Sequence, residues 1–123
     1  MARIILIDDD ALLRNTVARS LTAAGHSVAV AGNGFDGMEL FRKDSADVIL
    51  TDLNMPHGGL PTIRVLRAEF PQLPIIAMSG NSTNLDMAGA IGATRILSKP
   101  FTPAELVAAI AEVLGAGGKM PGP

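Results

Sequence analysis

The stretch Arg3-Ile4-Ile5-Leu6-Ile7-Asp8-Asp9-Asp10 decides the fold. Its four consecutive aliphatic residues are apolar on both faces of a strand, whereas a strand with one wet face would alternate. Such a strand belongs inside a parallel sheet covered by helices on both sides. This one ends abruptly in three carboxylates. Working outward, Ser27–Ala31 reads as a second strand, Asp47–Asp52 as a third, Ile75–Ser79 as a fourth and Thr94–Ser98 as a fifth.

Helical patterns fill the gaps. Ala11–Ala24 places Leu13, Val17, Leu21 and Ala24 on one face, and Gly25 is its stop. Asn33 caps a helix running to Lys43, with Phe35, Met38 and Phe41 expected to face inward. Pro61–Phe70 follows a loop, Met55-Pro56-His57-Gly58-Gly59, and Ser82–Ile91 ends at Gly92. Thr102-Pro103-Ala104-Glu105 combines a Thr cap, Pro at the first helical position and Glu three residues after the cap, and starts a helix through Leu106, Ile110 and Leu114. The alternation predicts an α/β fold: a five-stranded parallel sheet with helices on both faces and right-handed crossovers. Residues 1–115 form one domain, and the Gly/Pro-rich residues 116–123 are expected to be a flexible tail.

Composition excludes several functions. The 123 residues are 48% hydrophobic and 18% charged, enough for one ordinary core. The net charge is −2, there is no basic run, and the aromatics are four Phe, so a direct nucleic-acid interface is not expected. No cysteine is present, which removes thiolate chemistry and is compatible with the cytoplasm. No apolar run approaches a membrane span.

In open parallel sheets the functional crevice lies beyond the carboxyl ends of the strands. Here those ends are Asp8-Asp9-Asp10, Asp52, Ser79-Gly80 and Lys99-Pro100. Carboxylates gathered there would repel one another, and a divalent cation relieves the conflict. An all-oxygen set favours Mg²⁺, with Mn²⁺ the alternative. With Asp9 and Asp52 as ligands and Asp8 acting through water, an Asp52 oxygen is free to attack phosphorus. Lys99 then serves as a point cation on one phosphoryl oxygen, and Ser79 as a hydrogen-bond donor to another.

Four segments in order carry a family resemblance: Ile5-Leu6-Ile7-Asp8-Asp9-Asp10, Thr51-Asp52-Leu53-Asn54-Met55-Pro56, Ile76-Ala77-Met78-Ser79-Gly80 and Leu97-Ser98-Lys99-Pro100-Phe101. They resemble the receiver domain of two-component response regulators, of the chemotaxis-regulator type. The resemblance implies a flavodoxin-like sheet of order 2-1-3-4-5. It implies Asp52 as phosphoacceptor and Asp8, Asp9, Asp52 and the Asn54 backbone carbonyl as metal ligands. It also implies Ser79 and Lys99 as the switch hydroxyl and lysine, with Asn54 and Asn81 tuning self-dephosphorylation. The implied donor is a sensor histidine kinase or a histidine phosphotransfer protein. The implied output is a downstream protein target bound through the face of the fourth helix, fifth strand and fifth helix. Such a protein is no enzyme in the metabolic sense: it catalyses only its own phosphorylation and slow self-dephosphorylation. Two departures stand out. Ile96 occupies the place where many members carry a switch aromatic, and the loop after Asp52 is one residue short, with His57 in it.

Two other readings compete. Asp8-x-Asp10 fits the first motif of haloacid-dehalogenase-type phosphatases, with Asp8 as nucleophile, but no second acidic pair follows Lys99 and Asp52 would be idle. A flavin-binding module would need a phosphate-cradling loop after the first strand, where acids stand instead.

Overall fold

A computed structural model describes residues 2–54 and 59–117. The expectations for Met55–Gly58, including the shortened loop and His57, and for residues 118–123 lie outside the described residues. The elements are β1 (Arg3–Ile7), α1 (Ala11–Ala23), β2 (Ser27–Ala31), α2 (Gly34–Lys43), β3 (Val48–Asp52), α3 (Leu60–Glu69), β4 (Ile75–Ser79), α4 (Ser82–Ile91), β5 (Arg95–Ser98) and α5 (Pro103–Gly117). The five strands form one parallel sheet in the order β2-β1-β3-β4-β5, the order that the resemblance implied.

The aliphatic runs divide between two cores by strand alternation. Ile4, Leu6, Val48, Leu50, Ile76 and Met78 point to one face and pack with Val17 and Leu21 of α1 and Leu106, Ala109, Ile110 and Val113 of α5. Ile5, Ile7, Ile49, Ile75 and Ala77 point to the other and pack with Phe41 of α2, Ile63 and Leu66 of α3 and Leu85 and Ala88 of α4. Burying each large aliphatic side chain stabilises the fold by about 1.5–3 kcal/mol. Both faces of the central strands are therefore dry, and polar groups can emerge only at the strand ends.

Side chains cap the helix starts, at Asn33 and Thr102 as read from sequence and at Asp10 and Asn81 in addition. Asp10 accepts from the amides of Leu12 (3.0 Å) and Leu13 (3.2 Å), Asn33 from Asp36 (2.8 Å) and Asn81 from Asn84 (3.0 Å). Thr102 and Glu105 cap reciprocally at 2.8 and 3.1 Å.

Three expectations need correction. Phe35 does not face inward: it is 66% exposed. The buried positions of α2 are Gly34, Gly37 and Phe41, and Phe35 lies one helical step away from that stripe. A Cβ at Gly37 would stand 2.4 Å from Ile7 Cδ1, so this helix meets the sheet through glycine rather than through an aromatic at its start. Ala24 is the exposed C-cap of α1 rather than part of its apolar face. Helix α5 reaches Gly117, because the glycines at 115 and 117 cost helix stability without terminating it.

Arg67 ties the far ends of α3 and α4 together. Its guanidinium donates to the carbonyls of Gly92 (2.9 Å), Phe70 (3.0 Å) and Pro71 (3.0 Å) and to Thr94 Oγ1 (3.2 Å). A cation among helix-terminal carbonyls complements both dipoles, although burial pulls its pKa below the ordinary arginine value. Gly92, at φ 126°, makes room: a Cβ there would lie 2.7 Å from Arg67 Cγ.

Candidate functional site

The sheet order places β1 and β3 side by side, and their ends bring Asp8, Asp9 and Asp52 together. One carboxylate oxygen from each lies within 4.8 Å of the other two. Asp8 and Asp52 are buried and Asp9 is exposed. Lys99, from the end of β5, reaches across to donate its Nζ to Asp52 Oδ1 at 2.9 Å. β4 lies between β3 and β5 and supplies Ser79, which is fully buried. Its hydroxyl donates to Asn54 Oδ1 at 3.3 Å and accepts from the Asn81 amide at 2.9 Å. The Lys99 amide donates to the Ser79 carbonyl at 2.9 Å, which fixes β5's end beside β4's.

A model of the response regulator receiver domain matches residues 4–111, nearly the whole described chain. The chain belongs to this family. Among curated relatives, the response regulator MprA of Mycobacterium leprae is 34% identical over 115 residues, 91% of this chain and 50% of that protein. MprA of Mycolicibacterium vanbaalenii is 33% identical over the same shares. This receiver thus spans about half the length of the curated relatives it matches. Among solved structures, chemotaxis response regulator CheY4 of Vibrio cholerae superposes with a TM-score of 0.84 at 30% identity, covering 92% of this chain and 98% of that one. A receiver domain protein from Clostridium thermocellum gives a TM-score of 0.87 at 28% identity, covering 93% and 94%. The match leaves the phosphatase reading without support. No helix among the described residues is long and apolar enough to cross a membrane.

The receiver's carboxylates differ in how they are satisfied. Asp8 Oδ1 accepts from the Asp10 amide at 2.9 Å, but its Oδ2 is buried with no partner among the described residues. Burial pushes the Asp8 pKa above the ordinary value of 3.8; the Asp10 amide opposes this, the Asp52 charge adds to it, and Lys99 counters. A buried carboxylate with an orphaned oxygen, grouped with two further carboxylates, is a donor set that suits a hard divalent cation.

The raised pKa has a sign that can be measured. Because folded Asp8 holds its proton more tightly than unfolded Asp8, its protonation favours folding. That contribution is full below about 3.8 and fades as pH rises through the folded-state pKa. Asp8→Asn, permanently neutral and still able to accept from the Asp10 amide, is expected to be more stable than the parent at neutral pH without metal. The advantage should vanish in acid. Paired thermal unfolding curves in chelator across pH check this, and a variant less stable at neutral pH would contradict it.

The remaining sequence candidates sit as follows. The Asn54 side chain holds Ser79, as given above. Asn81 contributes its backbone amide to Ser79, while its side chain is committed to capping α4. Ile96 is 39% exposed on the edge strand β5, paired in register with Ala77. Sequence reasoning missed Arg14, whose Nη1 donates to the Asp8 carbonyl at 2.8 Å. The available signal was its place one helical turn beyond the Asp10 cap, on the helix that leaves the acidic corner.

Proposed function

We propose that this receiver is a phosphorylation-controlled signalling switch whose Asp52 accepts a phosphoryl group from a phosphohistidine of a sensor kinase or phosphotransfer protein. The observation that carries the reading is the juxtaposition at Asp52: two further carboxylates within 4.8 Å and a lysine ammonium 2.9 Å away. A carboxylate oxygen of Asp52 attacks phosphorus, the P–N bond to the donor imidazole breaks, and the imidazole is left neutral after taking up a proton from solvent. Asp8, Asp9, Asp52 and the Asn54 backbone carbonyl would hold Mg²⁺ (or Mn²⁺), which neutralises charge on the phosphoryl oxygens when bound.

The chain's own residues do the rest. Lys99 leaves the carboxylate for a phosphoryl oxygen, retaining a charge-assisted bond. Ser79 exchanges its Asn54 contact for a second phosphoryl oxygen. That movement starts at the base of α4, since the Asn81 amide rides on Ser79, and it biases the α4–β5–α5 face toward its target-binding form. On that face Arg95 of β5 pairs with Glu112 of α5. The protein turns over no other substrate, and it hydrolyses its own acyl phosphate slowly.

Acetyl phosphate supplies the test without a cognate kinase. With Mg²⁺, intact mass spectrometry should show a single phosphoryl adduct that decays after the donor is removed, and chelation should abolish it. Labelling that is indifferent to chelator would overturn the metal-dependent reading.

A further inference from the structure

The acidic corner is held by a residue outside the cluster. At the end of β1 the Asp8 amide still belongs to the sheet, donating to Ala31 O at 3.0 Å. Asp10 is tied three ways: its amide to Asp8 Oδ1 (2.9 Å), its carboxylate to the start of α1, and its carbonyl to the Arg14 amide (2.8 Å). Asp9 lies between them, exposed, and its side chain makes no hydrogen bond among the described residues. With no side-chain partner, its approach starts from the Cα–Cβ direction that the backbone sets. The peptide joining Asp8 to Asp9 is a rigid plane, and its carbonyl accepts from Arg14 Nη1 at 2.8 Å. The guanidinium lies against Gly32, 3.5 Å from where a Cβ would stand.

Arg14 is not there as an ion pair: no carboxylate lies within 4.0 Å of its nitrogens among the described residues. Its Nε is buried without a partner among them. A guanidinium paired with Asp9 would occupy a ligand oxygen. One bonded to the carbonyl behind Asp9 takes none of the carboxylate oxygens, leaving the Asp9 carboxylate and Asp8 Oδ2 available.

We propose that Arg14 is a positioning residue for the cation site, fixing the Asp8–Asp9 peptide and so the approach of the Asp9 carboxylate to Asp52. This rests on the reading of Asp8, Asp9 and Asp52 as that site. Partners that orient ligands from behind commonly govern metal affinity by about 10–100-fold.

The test is MgCl₂ titration of the full chain by calorimetry, beside backbone amide spectra of the metal-free protein. Arg14→Ala should bind Mg²⁺ about 10-fold more weakly, and the Asp9 and Asp10 amides should shift before any metal is added. Arg14→Lys, which keeps a donor and the charge, should recover part of the affinity. A role through charge alone predicts the opposite sign, since losing a nearby cation tightens Mg²⁺ binding. Equal or tighter binding by Arg14→Ala overturns the proposal. If Arg14→Ala does not fold, Arg14→Lys decides: wild-type affinity with unmoved Asp9 and Asp10 amides overturns the proposal, and weakened binding with shifted amides supports it. Asp9→Asn separates the layers. If the parent chain shows no Mg²⁺ binding that Asp9→Asn removes, the cation site itself falls and the proposal with it; if it does, the Arg14 result stands alone.

Discussion

Asp52→Asn is expected to reduce labelling by acetyl phosphate and Mg²⁺ to background while leaving the fold intact. The substitution conserves shape, and Lys99 Nζ, now 2.9 Å from Oδ1, can donate equally to an amide oxygen. What disappears is the proposed anionic nucleophile and one of three carboxylates crowded within 4.8 Å. The charge of Asp52 is one of the influences raising the Asp8 pKa, so removing it relieves strain on Asp8. The metal-free variant should accordingly melt no lower than the parent. Intact mass spectrometry and a thermal scan read both halves of the prediction. Equal labelling of the Asn variant would place the chemistry elsewhere.

Lys99→Ala is expected to have the second largest effect, and a different one. Asp52 is 3% exposed at its side chain and Lys99 23%, so their bond is largely shielded from solvent. Losing it leaves a buried carboxylate unpaired beside Asp8, at a cost of roughly 1.5–3 kcal/mol for a charged hydrogen bond. Without metal the variant should be measurably less stable, and Mg²⁺ should restore more stability to it than to the parent. Phosphoryl uptake should slow by about 100-fold, the scale seen when one preorganised group facing developing charge is removed. The α4–β5–α5 face should also stop responding, because nothing draws the phosphoryl oxygens toward β5. Amide spectra with and without a phosphoryl mimic check this. A full wild-type response on that face would refute the coupling role of Lys99.

Much of this was legible in the sequence because the informative residues sit where periodicity breaks. Arg3–Asp10 shows a strand buried on both sides and then an immediate demand for charge compensation. Asp52, Ser79 and Lys99 each end a comparable run, and only a parallel sheet aligns such ends. Strand order itself came from resemblance, since hydrophobic runs do not encode neighbours. Phe35 was misread because an aromatic near a cap looks like core, while the real contact uses Gly37, whose message is the absence of a side chain. Arg14 and Arg67 were invisible for a related reason. Both bind backbone carbonyls, and a carbonyl leaves no mark in the sequence. The tuning role of Asn81 came from resemblance alone, and what the sequence did not announce is that its side chain caps α4.

The most direct test of the central claim is to trap the adduct. The chain is labelled with acetyl phosphate and Mg²⁺, the acyl phosphate is reduced chemically, and the modified residue is located by peptide mass spectrometry. The geometry around Lys99 predicts modification at Asp52 alone. Modification at Asp8 or Asp9, with Asp52 unmarked, would contradict it.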